Sequence, residues 1–312
     1  MKRLIFVEKG VAEISGGEMP VCGKDAMLLK TLYSGVTNGT ERINLMGYGG
    51  GGFPRCFNYQ TVSRVEECGA GITKYKPGDI VYCGKVAGHV EYQLAEETDL
   101  LLDVTEGYDL REAALFGVAS VSFHDAGRAG VNYCDKAAIF GAGIVGQFAA
   151  QAAGALGAHV TVVDIDEDRL SLALSLGADR AVNISSDEGK QTLYSMRPFS
   201  VIFDCSGADI MQQVIGDGWA NGLIGNRGRV LMIAGRYDVT YAFGAAQSTE
   251  VAVMHANHFN QDALEGLGRL VKKGVIKVSP LIKDVAPIDD AVRYYDIMRD
   301  TPGKLMGTVF EW

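Results

Sequence analysis

The chain has 312 residues, 47% of them hydrophobic, which is enough for one large or two ordinary domains with substantial cores. Its formal charge of −9 comes with no Lys/Arg cluster, so neither nucleic acid nor an anionic membrane is an expected partner. Six cysteines without a C-x-x-C spacing signal neither a zinc knuckle nor a redox pair, and read as the reduced thiols of a cytoplasmic protein.

The apolar run Leu4-Ile5-Phe6-Val7 is too short for a signal peptide, and no stretch approaches a membrane span. It reads instead as a strand, as does Ala26 to Tyr33, with Gly16-Gly17 and Pro20 between them. Residues 35–60 read as irregular and contain four consecutive glycines, Gly49 to Gly52. Strand patterns return at Thr61 to Glu67, Ile80 to Cys83 and His89 to Leu94, so this first part is β-rich without a βαβ rhythm. From Arg111 to about Ala129 the pattern is helical. Strands at Ala137–Phe140, Val160–Asp164, Arg180–Asn183, Val201–Asp204 and Arg229–Ala234 then alternate with helices, which predicts a doubly wound parallel sheet. Helices at Gln261 to Lys272 and Ile288 to Arg299 precede a final strand from Gly307 to Trp312.

The most informative stretch lies within the alternating part. An apolar strand, Ala137 to Phe140, leads into Gly141-Ala142-Gly143-Ile144-Val145-Gly146 and a small-residue helix from Gln147 to Ala153. This is a G-x-G-x-x-G turn opening a helix whose N-terminus suits a pyrophosphate. The next strand ends in Asp164, where a carboxylate can accept both hydroxyls of an adenine ribose. A 2′-phosphate beside that carboxylate would be repelled, and Ile165-Asp166-Glu167-Asp168 follows with three more acids. The expected cofactor is therefore NAD(H), bound by Gly141, Gly143, Ile144, Val145, Gly146, Asp164 and Ile165.

The order of parts resembles the medium-chain dehydrogenase/reductase superfamily of alcohol and polyol dehydrogenases. The residues that carry the resemblance are Gly78-Asp79-Ile80-Val81, Gly141 to Gly146, Asp204-Cys205-Ser206-Gly207, Gly228-Arg229-Val230 leading to Gly235, and Pro280-Leu281-Ile282. It implies an α/β protein: a GroES-like β-rich catalytic domain, residues 1–118 and 256–312, around an inserted Rossmann NAD domain, residues 119–255. It also implies nicotinamide-side contacts at Ser206, Gly207, Ala234 and Gly235, and a homodimer. Where zinc-dependent members carry a Cys, this chain has Thr37 or Asn38; where they carry Gly-His-Glu, it has Asn58-Tyr59-Gln60. The catalytic zinc is therefore expected to be absent. The segment Ser34 to Arg42 with its Gly-rich loop resembles a zinc-lacking branch that includes the bacteriochlorophyllide dehydrogenases, although the same pattern occurs in dehydrogenases of sugars and secondary metabolites.

Without a metal, the alkoxide that develops during hydride transfer needs a proton acceptor and hydrogen-bond donors from the protein. The resemblance puts Tyr59 at the lost ligand position, where it either acts as acid/base or fills the vacant space. Thr40 aligns with a proton-relay hydroxyl and is either that relay or a local turn hydroxyl. Glu41 either has a structural role, binding Arg42 or Tyr59, or contacts substrate, and His89 lies where substrate contacts occur. Lys85, His124 and the pair His255 and His258 read as structural or weak candidates. The expected activity is zinc-independent, NAD(H)-dependent interconversion of a secondary alcohol and its ketone, the substrate being a sugar, cyclitol or biosynthetic intermediate. The alternatives are a zinc-free enone or quinone reductase and a non-catalytic NAD(H) sensor.

Overall fold

The computed structural model describes residues 1–312. The chain divides into two compact units. The first comprises Met1–Gly117, Asn260–Gly274 and Val278–Trp312, and the second Val118–Phe259 with Val275–Lys277.

The first unit begins with β1 (Lys2–Glu8) and β2 (Val11–Gly16), which form an antiparallel ribbon. It continues through β3 (Met27–Gly35), α1 (Asn38–Leu45), β4 (Thr61–Cys68), β5 (Ile80–Cys83), β6 (Tyr92–Ala95), β7 (Leu101–Asp103) and α2 (Leu110–Ala113). Helix α3 (Phe116–Arg128) starts in the first unit and runs into the second.

The second unit contains β8 (Lys136–Phe140), α4 (Ile144–Ala155), β9 (His159–Asp164), α5 (Glu167–Ser175), β10 (Arg180–Asn183) and α6 (Asp187–Ser195). It is completed by β11 (Phe199–Asp204), α7 (Met211–Ile215), β12 (Ile224–Met232), α8 (Phe243–Ser248) and β13 (Ala252–His255). The chain then returns to the first unit as α9 (Gln261–Lys272), β14 (Asp284–Pro287), α10 (Ala291–Asp300) and β15 (Thr308–Glu311).

In the first unit the main sheet has the order β14-β15-β3-β4-β5-β7, with β6 also paired to β3. Apolar side chains alternate inward along these strands. Met27, Leu29, Val65, Val81 and Leu101 form one cluster, and Leu4, Phe6, Leu45, Tyr295, Met298 and Phe310 form another. Helix α1 occupies part of the stretch expected to be irregular. Its sequence, with Asn38 and Gly39 at the start, carries weak helix propensity. The buried side chains of Glu41 and Leu45 hold it in place through tertiary contacts.

The second unit is a six-stranded, wholly parallel sheet of order β10-β9-β8-β11-β12-β13. Its central strands are apolar almost throughout, as a sheet covered on both faces requires. One covering cluster gathers Ala137, Ile139, Ala149, Val160 and Phe203, and the opposite one Phe140, Val163, Phe199, Ile202 and Val230. The strand order reverses between β8 and β11. Ligands of open α/β sheets bind beyond the carboxyl ends of the strands at such a point.

Candidate functional site

In the first unit, β3 ends at Gly35 and the chain passes through Thr37 into α1, which fixes Glu41 on the first turns of that helix. Glu41 is fully buried. Its Oε1 accepts the Thr37 N–H at 2.7 Å and the Asn58 amide at 3.4 Å. Its Oε2 faces His89 Nε2 at 3.2 Å and accepts the Tyr295 hydroxyl. Four polar groups thus lie against the carboxylate oxygens, which offsets the cost of burying them. His89, also fully buried, places Nδ1 2.8 Å from Ser34 Oγ, which accepts from Trp312 Nε1 at 2.8 Å. An indole N–H can only donate, so Ser34 Oγ is the acceptor from Trp312, and His89 Nε2 also lies 3.1 Å from Asn58 Nδ2.

Glu41 has the structural reading: the Arg42 guanidinium donates instead to the Met298 carbonyl, and the Glu41 side chain is buried away from solvent. His89 is likewise interior to the unit. Glu41 secures the backbone at Thr37.

Thr37 carries the next link. Its Oγ1 accepts from Gln60 Nε2 at 2.7 Å, and its hydroxyl is hydrogen-bonded to the Tyr59 phenol. Gln60 is fully buried and Tyr59 only 6% exposed. The Tyr59 carbonyl accepts the Tyr82 hydroxyl at 3.0 Å, and the Tyr59 ring meets Phe57 edge-on. Burial pushes the Tyr59 pKa up to about 12; the Thr37 hydrogen bond offsets this in part, and the Glu41 charge adds to it. Tyr59 is therefore a neutral phenol at physiological pH and a weaker acid than an ordinary tyrosine. Thr40 is exposed on the first turn of α1, so the threonine hydroxyl bonded to Tyr59 is that of Thr37.

Zinc prefers thiolate, imidazole or carboxylate donors. Thr37 and Gln60 offer a hydroxyl and an amide already bonded to each other, Asn38 donates its amide to the Leu305 carbonyl, and Tyr59 is neutral. No group of three His, Cys, Asp or Glu side chains could hold a metal ion. These residues do not fit a zinc site. Lys85 is ion-paired to Asp99 at 3.0 Å, and His255 is exposed on β13.

The second unit holds the dinucleotide turn. Gly141 has φ +92°, and a Cβ there would lie 2.8 Å from the Ser206 Cα. A Cβ on Gly146 would lie 1.7 Å from the Gly141 carbonyl oxygen, so both positions demand glycine. Around Gly143 the space is open. Gly143 is the N-cap of α4 and offers no capping side chain, which leaves the first N–H groups of the helix for an anion.

Asp164 ends β9. Its Oδ2 accepts the Ala142 N–H, and its Oδ1 accepts those of Ile165 at 2.7 Å and Asp166 at 3.1 Å. Three backbone N–H groups thus already donate to this carboxylate and fix its orientation. Ile165 is 68% exposed beside it, an apolar surface of the kind an adenine covers. These groups fit a dinucleotide.

Ser206 lies just beyond β11, where its N–H and hydroxyl both donate to Asp204 Oδ1 at 3.1 and 2.9 Å. Gly207 has φ +72°, and Ala234 donates its N–H to the Asp204 carbonyl at 3.0 Å; Gly235 is exposed next to it. Arg236 brings Nη2 to 2.7 Å from the buried Asp204 Oδ2, out of hydrogen-bond alignment, while Nη1 donates to the Ala208 carbonyl at 2.9 Å. This pair braces the two loops against each other. Sequence reasoning missed it, as it missed Tyr295 and Trp312. The only available signal for Arg236 was an arginine one residue beyond a strand-end glycine.

Comparison with known proteins bears on the fold and the chemistry together. Residues 145–268 match the sequence family described as zinc-binding dehydrogenase. Sorbitol dehydrogenase 1 of Saccharomyces cerevisiae is 28% identical over 231 residues, covering 70% of this chain and 63% of that protein. An Escherichia coli alcohol dehydrogenase solved with NADH superposes with a TM-score of 0.86 at 16% identity, over 100% of this chain and 99% of that one. A Sinorhizobium meliloti dehydrogenase bound to NADP superposes with a TM-score of 0.85 at 17% identity, again over 100% and 99%. At such identities the two structures speak for the fold alone.

Proposed function

We propose, for a chain with the medium-chain dehydrogenase fold and the zinc-binding-dehydrogenase signature over residues 145–268, that it interconverts a secondary alcohol and its ketone with NAD(H) and without a catalytic zinc. The observation that carries this reading is the Asp164 carboxylate, tied to the Gly-rich turn at the N-terminus of α4. A nicotinamide bound there supplies or takes the hydride. The α4 N–H groups hold the pyrophosphate, Asp164 takes a ribose hydroxyl and disfavours a 2′-phosphate, and Ile165 lies under the adenine. Ser206, Gly207, Ala234 and Gly235 form the strand-end loops on the nicotinamide side. In the first unit Tyr59 gives the proton to the reacting oxygen. A hydroxyl-rich substrate is favoured by the similarity to a sorbitol dehydrogenase.

Two measurements test this reading. Fluorescence titration should show NADH bound far more tightly than NADPH, and Asp164→Ser should narrow the gap. Turnover should be found with sorbitol and fructose, or with 2,3-butanediol and acetoin, in the presence of a chelator. Equal affinity for the two cofactors overturns the NAD assignment. Absence of turnover across both pairs, with NADH bound, overturns the enzymatic one.

A further inference from the structure

One buried ion pair in the second unit joins the loops that follow β11 and β12. A dinucleotide with its pyrophosphate at the N-terminus of α4 and its adenosine at Asp164, beyond β9, has its other half on the far side of β8. In the strand order β10-β9-β8-β11-β12-β13 that side is the carboxyl ends of β11 and β12. The β11 loop is seated on the glycine turn, since a Cβ on Gly141 would lie 2.9 Å from the Ser206 nitrogen. Asp204, fully buried at the end of β11, holds that loop through Oδ1, which accepts the Ser206 N–H at 3.1 Å and the Ser206 hydroxyl at 2.9 Å. The Asp204 carbonyl holds the β12 loop, accepting the Ile233 and Ala234 N–H groups at 3.0 Å each. Asp204 Oδ2 lies 2.7 Å from Arg236 Nη2. The same guanidinium donates through Nη1 to the Ala208 carbonyl at 2.9 Å and through Nε to the Ala234 carbonyl at 3.3 Å. Arg236 thus spans both loops, and its side chain is only 16% exposed.

We infer that Arg236 is a positioning residue for the nicotinamide half of the cofactor: with Asp204 it holds the β11 and β12 loops as one surface for the ring and leaves the adenosine half untouched. The inference rests on the dinucleotide reading above and assigns the two halves to separate parts of the unit. A guanidinium is a planar fork that reaches acceptors on two segments at once, whereas an ammonium is a point charge. The buried Asp204 carboxylate keeps the fork in place, because parting the two would leave an uncompensated charge in the interior. The groups that serve the adenosine half do not depend on this pair. Asp164 is held by the Ala142, Ile165 and Asp166 N–H groups, and Gly143 leaves the first N–H groups of α4 open. ADP-ribose keeps the adenosine and the pyrophosphate and lacks the nicotinamide, so it separates the two halves.

Calorimetric titration of the full chain with NADH and with ADP-ribose tests this. The wild-type protein should bind NADH more tightly than ADP-ribose. Arg236→Met keeps the apolar stem and removes the fork. It should weaken NADH binding about tenfold, the size of one lost charge-assisted hydrogen bond, and leave ADP-ribose within about twofold. Arg236→Lys keeps the charge without the fork and should recover only part of the loss. If the lone Asp204 charge keeps Arg236→Met from folding, the double variant Asp204→Asn with Arg236→Met takes its place with the same expectation. Equal weakening of both ligands, unchanged NADH affinity, or full recovery with lysine overturns the inference and leaves the dinucleotide reading standing. So does a wild-type protein that binds the two ligands equally, because the loops then contribute nothing to the nicotinamide. Wild-type protein that binds neither ligand overturns the dinucleotide reading and the inference with it.

Discussion

Asp125 on α3 illustrates how a single buried acid shapes the response to pH. It is 2% exposed, and burial lifts its pKa from 3.8 to about 7, with the Arg128 charge opposing the shift. A carboxyl whose pKa is higher folded than unfolded binds more protons in the native state, so it costs stability as pH rises from about 4 to about 7. Above that window the full cost remains. Asp125→Asn should therefore stabilise the protein by about 2–4 kcal/mol at pH 8 and by much less at pH 4.5, as read by denaturant unfolding at the two pH values. A gain that does not grow with pH would show that the acid is ionised at little cost. Glu41, also buried, has four polar groups against its carboxyl oxygens. Glu41→Gln puts an amide N–H against one of them and should destabilise by on the order of 3 kcal/mol. A loss below about 0.5 kcal/mol, typical of a surface site, would mean that the four contacts carry little. The sequence marked Glu41 and His89 as polar residues of interest. It could not reveal that Tyr295 and Trp312, more than 200 residues away, would enclose them.

The elements best read from sequence are those whose pattern is set locally. Strands β8 to β12 are short apolar runs between turn residues, and α4 follows a turn that only glycine permits, so the second unit was legible almost strand by strand. Helix α1 was not, because Asn38, Gly39 and Thr40 disfavour it and only burial of Glu41 and Leu45 decides in its favour. Strand β2 exists through its pairing with β1, and β13 through its pairing with β12, which no local pattern announces. The α4 turn gives an element-scale prediction. Gly146→Ala places a methyl 1.7 Å from the Gly141 carbonyl, and the obstacle is backbone, so turn and helix must part. We expect a loss of about 1–3 kcal/mol, the range for overpacking a close contact, seen as a lower melting temperature. NADH affinity should fall with it, because the same N–H groups are displaced. An unchanged melt with unchanged NADH affinity would mean that this approach is not needed.

Across the whole molecule, the two units differ in how much ligand-binding equipment they carry. The second has the glycine turn, the uncapped helix N-terminus and the strand-end acid that a dinucleotide uses. The first has, where zinc-dependent relatives of this fold would offer thiolate and imidazole, a hydroxyl, two amides and a phenol. Such groups are poor zinc ligands beside thiolate, imidazole or carboxylate. The nearby imidazole and carboxylate, His89 and Glu41, are bonded to each other and to Ser34, Thr37, Asn58 and Tyr295, so recruiting them would dismantle the interior that holds α1. A tightly held metal stabilises the folded state by mass action, and removing it lowers the melting temperature. Protein incubated with excess zinc and then desalted should therefore retain less than about 0.1 zinc per chain by elemental analysis, and a strong chelator should leave the thermal unfolding curve in place. About one zinc per chain, with a melting temperature that falls on chelation, would show that the first unit rearranges to build a metal site, and the assignment of Tyr59 as proton donor would fall with it.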